Sequence, residues 1–229
     1  MLMAIYLYRL NDKCDVEYAE GSMNKIEELF SKTKSGGDFA REYASYLSEL
    51  LNDLDFEVVG KIIDLFRDAR SHGRTIFFVG NGGSAATCSH FSEDLALGTY
   101  TAKKKPYKAL SLTDNTAYIT AMGNDEGYEN IFVGQMRNLF EEGDLLLGIS
   151  ASGNSPNVIK AIEYANDNGG TSIGFVGFDG GKMKEICQHC IHIKTMKGEY
   201  GPVEDIHLVL DHIITTYLAK LDGRGIEDD

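Results

Sequence analysis

The sequence predicts an α/β fold, namely a three-layer α/β/α sandwich with a five-stranded parallel sheet. Additional helices are expected in the N-terminal part of the chain, before the first strand. The first observation is an alternation of five short apolar segments with longer segments of helical periodicity. The second is that several short segments, such as TIFFV and LLLGI, are apolar on both faces, as strands of a covered parallel sheet are. The third is a chain of 229 residues with 43% hydrophobic residues and no Pro/Ser-rich linker, which favours one domain.

Two helices are expected before the first strand. The segments Asp38–Leu51 and Phe56–His72 carry apolar residues at helical spacing, and Gly73 follows the second at the position of a C-cap. Residues 1–37 are predicted to form an N-terminal extension, for which disorder is expected. Residues 38–225 are predicted to form a single domain.

The remaining elements alternate along the chain. The strands are expected at Thr75–Val79, Lys108–Leu112, Asp144–Ile149, Ser172–Val176 and Cys190–Lys194. The helical patterns lie at Ser84–Leu97, Asn115–Met122, Asn130–Phe140, Pro156–Asp167 and Val203–Lys220. Right-handed crossovers between parallel strands would place helices on both faces of the sheet.

Composition excludes several classes of protein. The net charge is −13, and Lys103–Lys105 is the one basic run, so nucleic acid is not an expected partner. No apolar run approaches the roughly 18 residues that a membrane span needs, so no membrane partner is expected. Cys187 and Cys190 form a single C-x-x-C without a second pair, which favours reduced cysteines and a cytoplasmic protein over a structural zinc site.

Two loops of similar plan follow predicted strands. The first loop, Gly80–Ser84, and the second loop, Ser150–Ser155, offer glycine, hydroxyl and amide groups directly before a predicted helix. The free N–H groups and the positive dipole end of a helix N-terminus attract phosphate. The pair therefore indicates a phosphorylated small molecule as the ligand.

Each loop is assigned one end of that ligand. Ser150, Ser152 and Ser155 are expected to surround the phosphate, with Ser155 as N-cap before Pro156. Asn154 is expected to take the left-handed conformation of the turn. The alternative is that these residues are only turn and capping residues. In the first loop Gly82 permits close backbone approach, and Asn81 and Ser84 are expected to bind sugar hydroxyls. The sequence lacks a P-loop motif and a complete dinucleotide fingerprint.

At larger scale the sequence resembles a known family. The segments that carry the resemblance are GNGGSAATCSHFSEDL, LSLTDNTAYITAMGNDEGYENIF, GDLLLGISASGNSPNVIKAIEYA, GFDGGKM and EDIHLVLDH. They resemble the phosphoheptose isomerase branch of the sugar isomerase (SIS) domain family, from about Tyr43 to Leu221. The resemblance implies conversion of sedoheptulose 7-phosphate to D-glycero-D-manno-heptose 7-phosphate for heptose biosynthesis. It also implies a homotetramer with sites at subunit interfaces, and zinc.

Two pairs of residues are candidates for the chemistry. His90 and Asp94 are four residues apart on one predicted helix, and Glu204 and His212 are eight apart on another, so each pair lies on roughly one face. Such pairs also occur by chance on exposed helices. The resemblance implies that these four residues bind the metal, with Asp94 as catalytic base and His212 as acid. Glu93 is the alternative base if Asp94 is too short to reach the substrate.

This set departs from the family pattern in two members. Asp94 stands where the family has Glu, and Glu204 stands where it has Gln. The helical rise between Glu204 and His212 is about 12 Å. One metal would therefore bind both only at a distorted helix start or if subunits share the site.

Further departures concern the substrate. Residues 96–100 lack the arginine that the family has there, and Gly201 or Pro202 replaces a family aspartate. The third loop keeps Asp114, Asn115 and Thr116, which are expected to face the sugar chain. Two alternatives follow: a non-catalytic SIS protein that binds a phosphosugar for regulation, or an isomerase of another sugar phosphate.

Overall fold

The computed structural model describes residues 23–224, and its centre is a five-stranded parallel sheet. The strand order is β2-β1-β3-β4-β5. The strands are β1 (Thr75–Gly80), β2 (Lys108–Ser111), β3 (Leu145–Ser150), β4 (Thr171–Val176) and β5 (His189–His192). The predicted fold class is confirmed, and every expected strand is present within a few residues of its expected bounds.

Nine α-helices accompany the sheet within residues 23–224. They are α1 (Lys25–Lys32), α2 (Gly36–Asn52), α3 (Phe56–His72), α4 (Gly83–Glu93), α5 (Thr116–Asp125), α6 (Val133–Leu139), α7 (Pro156–Asp167), α8 (Gly181–Ile186) and α9 (Tyr200–Leu221). The sequence patterns missed the two short helices α1 and α8. The helix expected through Leu97 changes at Asp94 into a π-helical turn, Asp94–Gly98.

Alternating side chains of the strands build a separate core on each face of the sheet. On β1, Ile76 and Phe78 pack into the core that α3, α4 and α9 cover. Their neighbours Phe77 and Val79 point to the other face, which α6, α7 and α8 cover. The strands are therefore apolar on both sides because helices cover both sides.

Glu199 joins the N-terminal helices to the start of α9. Its buried carboxylate accepts the backbone N–H of Lys25 at 2.8 Å and the hydroxyl of Tyr46 at 2.5 Å. Helix α1 thus lies inside the range expected as an extension, residues 1–37, of which residues 1–22 are outside the described part. Between residues 23 and 224, no helix combines the length and the apolar character that crossing a bilayer requires.

The sheet order determines where a ligand site forms. Strands β1 and β3 are neighbours, but the chain continues from β1 to β2 on one side and from β3 to β4 on the other. In open α/β sheets the loops diverge at such a point and leave a crevice at the carboxyl ends of the strands. The first and second loops follow β1 and β3, so they border this crevice.

Candidate active site

The three serine hydroxyls of the second loop converge. Ser150 Oγ lies 3.1 Å from Ser155 Oγ and 3.4 Å from Ser152 Oγ. Ser155 is at the N-cap of α7 and Pro156 is in the first turn, as the sequence predicts, yet the Ser155 side chain makes no capping hydrogen bond. Its hydroxyl points toward Ser150 instead. The loop therefore gathers three hydroxyls at the start of α7, where the Val158 N–H already donates to Asn157 Oδ1 at 3.0 Å.

The left-handed residue of the second loop is Gly153 rather than Asn154. Gly153 has a φ of +63°, and a Cβ on it would overlap the carbonyl oxygen of Gly180. Asn154 is exposed, and its Oδ1 accepts the backbone N–H of Lys182 at 2.9 Å. Asn154 therefore ties the second loop to α8, because its side-chain oxygen already has this partner.

A pair of amides connects the two loops. Asn81 and Asn157 exchange hydrogen bonds of 2.9 and 2.8 Å through their side chains, and the Tyr128 hydroxyl donates to Asn81 Oδ1 at 3.0 Å. Asn157, in the first turn of α7, is buried. Asn157 was not among the predicted site residues, although its place directly after Pro156 marks it as a residue of the same helix start. The pair holds the first loop against the second.

The start of α4 already faces a carboxylate. Gly82 is the N-cap of α4, has a φ of +55° and provides no capping side chain, while Ser84 is buried. A Cβ on Gly83 would lie 2.6 Å from Cδ of Glu204 and 2.8 Å from its Oε1. The Glu204 carboxylate thus lies beside the positive end of the α4 dipole.

The third loop, after β2, faces the same edge of the sheet. Asp114 Oδ1 accepts hydrogen bonds from the hydroxyls of Ser89 and Thr113. Asn115 is the N-cap of α5, with Oδ1 3.1 Å from the N–H of Tyr118. The side chain of Thr116 is exposed at the start of α5. All the predicted substrate-binding residues therefore follow β1, β2 or β3 at the carboxyl edge.

Two histidines and two carboxylates meet where α4 lies against α9. Asp94 Oδ2 is 3.6 Å from His90 Nε2 and 4.0 Å from His212 Nε2, and the two imidazole centroids are 5.2 Å apart. Asp211 is the fourth member, and one donor atom from each residue lies within 4.8 Å of the others. The histidines are exposed, so this group opens to solvent on one side.

Asp211 was not expected in this group. It is fully buried, and its Oδ2 has no hydrogen-bond partner among residues 23–224. Burial, with the nearby carboxylates of Asp94 and Glu93, raises the pKa of Asp211 to about 8. An isolated buried carboxylate is costly, so in the absence of a cation this carboxyl binds a proton.

Glu204, the fourth residue of the predicted metal set, does not join this group within one chain. It is the fifth residue of α9, in regular helix, two turns before His212. The two helices run side by side in the same direction, since Glu204 meets Gly83 near their starts and His212 meets His90 further along. Glu204 as a ligand remains a prediction for a site that subunits share.

Comparison with known proteins identifies the family of this chain. The family model described as SIS domain matches residues 38–177. The phosphoheptose isomerase of Aliarcobacter butzleri (strain RM4018) is 41% identical over 143 residues, covering 62% of this chain and 74% of that protein. The chain belongs to the SIS-domain family, in its phosphoheptose isomerase branch.

Solved structures of this SIS branch have the same fold. The phosphoheptose isomerase of Neisseria gonorrhoeae superimposes with a TM-score of 0.70 at 28% identity, covering 79% of this chain and 96% of that one. A phosphoheptose isomerase from Francisella tularensis gives a TM-score of 0.72 at 25% identity, covering 86% and 100% of the two chains. Both similarities extend well beyond the 140 residues that the SIS model matches.

One departure from the SIS-branch pattern has a structural counterpart. Residues 96–100 contain no basic residue, but Arg224 Nη1, from beyond the end of α9, donates to the carbonyl oxygen of Leu97 at 2.8 Å. Arg224 and Lys220 line a cleft of about 350 Å³ that reaches Asp94. Arg224 thus places a positive charge next to the π-helical turn, although it comes from a distant part of the sequence.

Proposed function

We propose that this chain is a phosphosugar ketose–aldose isomerase that converts sedoheptulose 7-phosphate to D-glycero-D-manno-heptose 7-phosphate through an enediol. The observation that carries the proposal is the imidazole–carboxylate group between α4, which begins at the first loop, and α9. The phosphoheptose isomerases to which the chain is similar support the choice of substrate. The product would serve heptose biosynthesis.

The phosphate is assigned to the second loop. The convergence of Ser150, Ser152 and Ser155 at the start of α7 supports this assignment, since hydroxyls and helix N–H groups together bind phosphate oxygens. The Glu204 carboxylate beside α4 argues against a phosphate in the first loop, because the two anions would repel each other there.

The sugar hydroxyls are assigned to the other two loops. Asn81, Gly82 and Ser84 of the first loop would contact some of them. Asp114, Asn115 and Thr116 of the third loop would bind the remaining hydroxyls of the sugar chain. Asn154 is retained as a second-loop contact through its backbone, since its side chain is tied to Lys182.

Asp94 and His212 are assigned the proton transfers. Isomerisation moves a proton between C1 and C2, for which a carboxylate is a suitable base, while the two oxygens need an acid. Asp94 would remove and return the carbon-bound proton, and His212 would exchange protons with the oxygens. Their separation of 4.0 Å supports a shared site. Glu93 remains the alternative base, although its side chain is exposed.

A divalent metal, proposed to be zinc, would be held by His90, Asp94 and His212. The donor set fits, since two imidazole nitrogens and carboxylate oxygens are zinc ligands, and the buried carboxylate of Asp211, one oxygen of which has no partner in residues 23–224, belongs to the same group. When bound, the metal supplies positive charge that polarises the sugar carbonyl.

We also propose a cytoplasmic homotetramer whose sites lie at subunit interfaces. His90 is seven residues beyond Gly83, about 10 Å along α4. The exposed histidines therefore lie at some distance from the loop of their own chain. A second subunit would close this open side and bring the loops and the metal group into one site.

Incubation with sedoheptulose 7-phosphate, followed by NMR detection of the aldose, tests the proposal. Wild-type protein is expected to form the heptose, while Asp94→Asn and His212→Ala bind the substrate without turnover. Exposed residues of α3 provide the matched controls Asp64→Asn and His72→Ala, which are expected to keep wild-type rates. Normal isomerisation by both site variants would refute the assignment.

The same experiment separates the alternatives. The shortened carboxylate at Asp94 is the observation that favours a non-catalytic SIS protein, which would bind the phosphosugar without converting it. Turnover of a pentose or hexose phosphate in place of the heptose would instead identify an isomerase with another substrate.

A further inference from the structure

Asp211 has a carboxylate oxygen that nothing in the described chain satisfies. The residue is fully buried, and Thr215 Oγ1 donates to its Oδ1 at 3.5 Å. Oδ2 has no partner. Leaving a buried acceptor unpaired is unfavourable, and such atoms in native proteins commonly face a water or an ion.

The neighbours of the Asp211 carboxylate indicate what kind of ligand it could bind. A donor atom of Asp211 lies within 4.8 Å of donor atoms of His90, Asp94 and His212. Two imidazole nitrogens and two carboxylate oxygens make a four-donor set for a divalent ion such as Zn²⁺. The two carboxylates would also neutralise the two positive charges of the ion.

Glu204 cannot complete this set in the same chain. Its carboxylate lies against Gly83, and about 12 Å of helical rise separates it from His212. Asp211, by contrast, directly precedes His212 on α9 and faces α4 together with it. The residue of α9 that completes the group is therefore Asp211, one position before His212, and not Glu204, eight positions before it.

We propose that Asp211, and not Glu204, is the fourth donor to a divalent metal held by His90, Asp94 and His212 of one chain. The proposal rests on the metal part of the proposed function and not on isomerisation. Each chain would then bind its own ion without a ligand from a second subunit. Glu204 would remain free to contact sugar hydroxyls at the first loop.

Zinc titration of the full-length, metal-depleted protein tests this assignment. Isothermal titration and competition with a chromophoric chelator would give the affinity and the number of ions per chain. We expect one ion per chain for the wild type. Loss of an outer-shell partner weakens metal binding about 10- to 100-fold, so Asp211→Asn is expected to weaken it about 100-fold or more.

Two variants serve as matched controls. Glu204→Gln removes the same charge from α9, and Glu93→Gln removes it from an exposed side chain next to Asp94. Both are expected to keep near-wild-type zinc affinity. Asp211→Leu provides a second test, because an apolar side chain at this buried position keeps the metal-free fold. Circular dichroism melts of the metal-free variants would verify folding.

Two results would overturn the assignment. One is unchanged zinc affinity in Asp211→Asn and Asp211→Leu, and the other is a loss in Glu204→Gln as large as in Asp211→Asn. Failure of the proposed function would look different, because wild-type protein would then bind zinc through Asp211 but leave sedoheptulose 7-phosphate unchanged.

Discussion

His207 makes the folding of this protein sensitive to acid. It lies on α9, the helix that also carries Asp211 and His212, and its ring packs against Phe175 with a centroid distance of 6.0 Å. It is buried, and in the described part of the chain neither ring nitrogen has a hydrogen-bond partner of good geometry. Burial lowers the pKa of His207 to about 3, which the nearby Val176 backbone opposes only in part.

The sign and size of the effect follow from linkage. Because the folded-state pKa is depressed, the unfolded chain binds more protons below pH 6.5, so stability is fully present above that pH and falls as the pH decreases toward 3. With pKa values of about 6.5 unfolded and about 3 folded, this residue alone removes about 2 kcal/mol of stability between pH 8 and pH 5. That is a large share of a typical domain stability of about 5–15 kcal/mol.

Urea denaturation of wild type and His207→Leu at pH 8 and pH 5 measures this contribution. Leucine is expected to reduce the loss of unfolding free energy between the two pH values by about 2 kcal/mol, since all other ionisable groups are common to both proteins. His72→Leu removes an exposed histidine from α3 and is expected to keep the wild-type pH dependence. An equal pH dependence in His207→Leu and wild type would refute the reasoning.

Three further substitutions probe the loops. Gly83→Ala is expected to cost less than about 1 kcal/mol in urea denaturation, because the Glu204 carboxylate that its Cβ would meet is the end of a flexible side chain and can move aside; in a Glu204→Ala background this cost should disappear. Ser155→Ala removes a hydroxyl from the proposed phosphate site, for a loss of about 1.5–3 kcal/mol, or about 10- to 100-fold in phosphosugar affinity by titration. Asn157→Ala leaves Asn81 without its amide partner and should lower the unfolding free energy by about 1–3 kcal/mol.

Each of these three predictions has an outcome that would contradict it. Additive effects of Gly83→Ala and Glu204→Ala would mean that the two side chains do not meet. The control is Ser48→Ala, which changes an exposed serine of α2. If Ser155→Ala binds the phosphosugar as tightly as this control does, the second loop does not bind the phosphate. Full stability of Asn157→Ala would mean that the amide pair contributes little to joining the loops.

Much of the fold could be predicted from the sequence because the signals are local. Apolar runs such as TIFFV specify strands covered on both faces, and the helical spacing in Phe56–His72 ends at Gly73, which is the left-handed C-cap of α3. The short helices α1 and α8 were missed because six to eight residues hold too few periods to stand out. The π-helical turn at Asp94 was missed because nothing in its composition distinguishes it from α-helix.

The fold class, the two glycine-rich loops and the histidines of the candidate site follow from the sequence alone. Each of these depends on residues close together in the chain, where spacing translates directly into geometry. Tertiary structure alone decided which residues from distant segments meet, because side-by-side packing of α4 and α9 brings Glu204 to Gly83 and His212 to His90. It also buried Asp211 between those helices with an unpaired oxygen, a property that depends on every neighbour around it and on no local pattern.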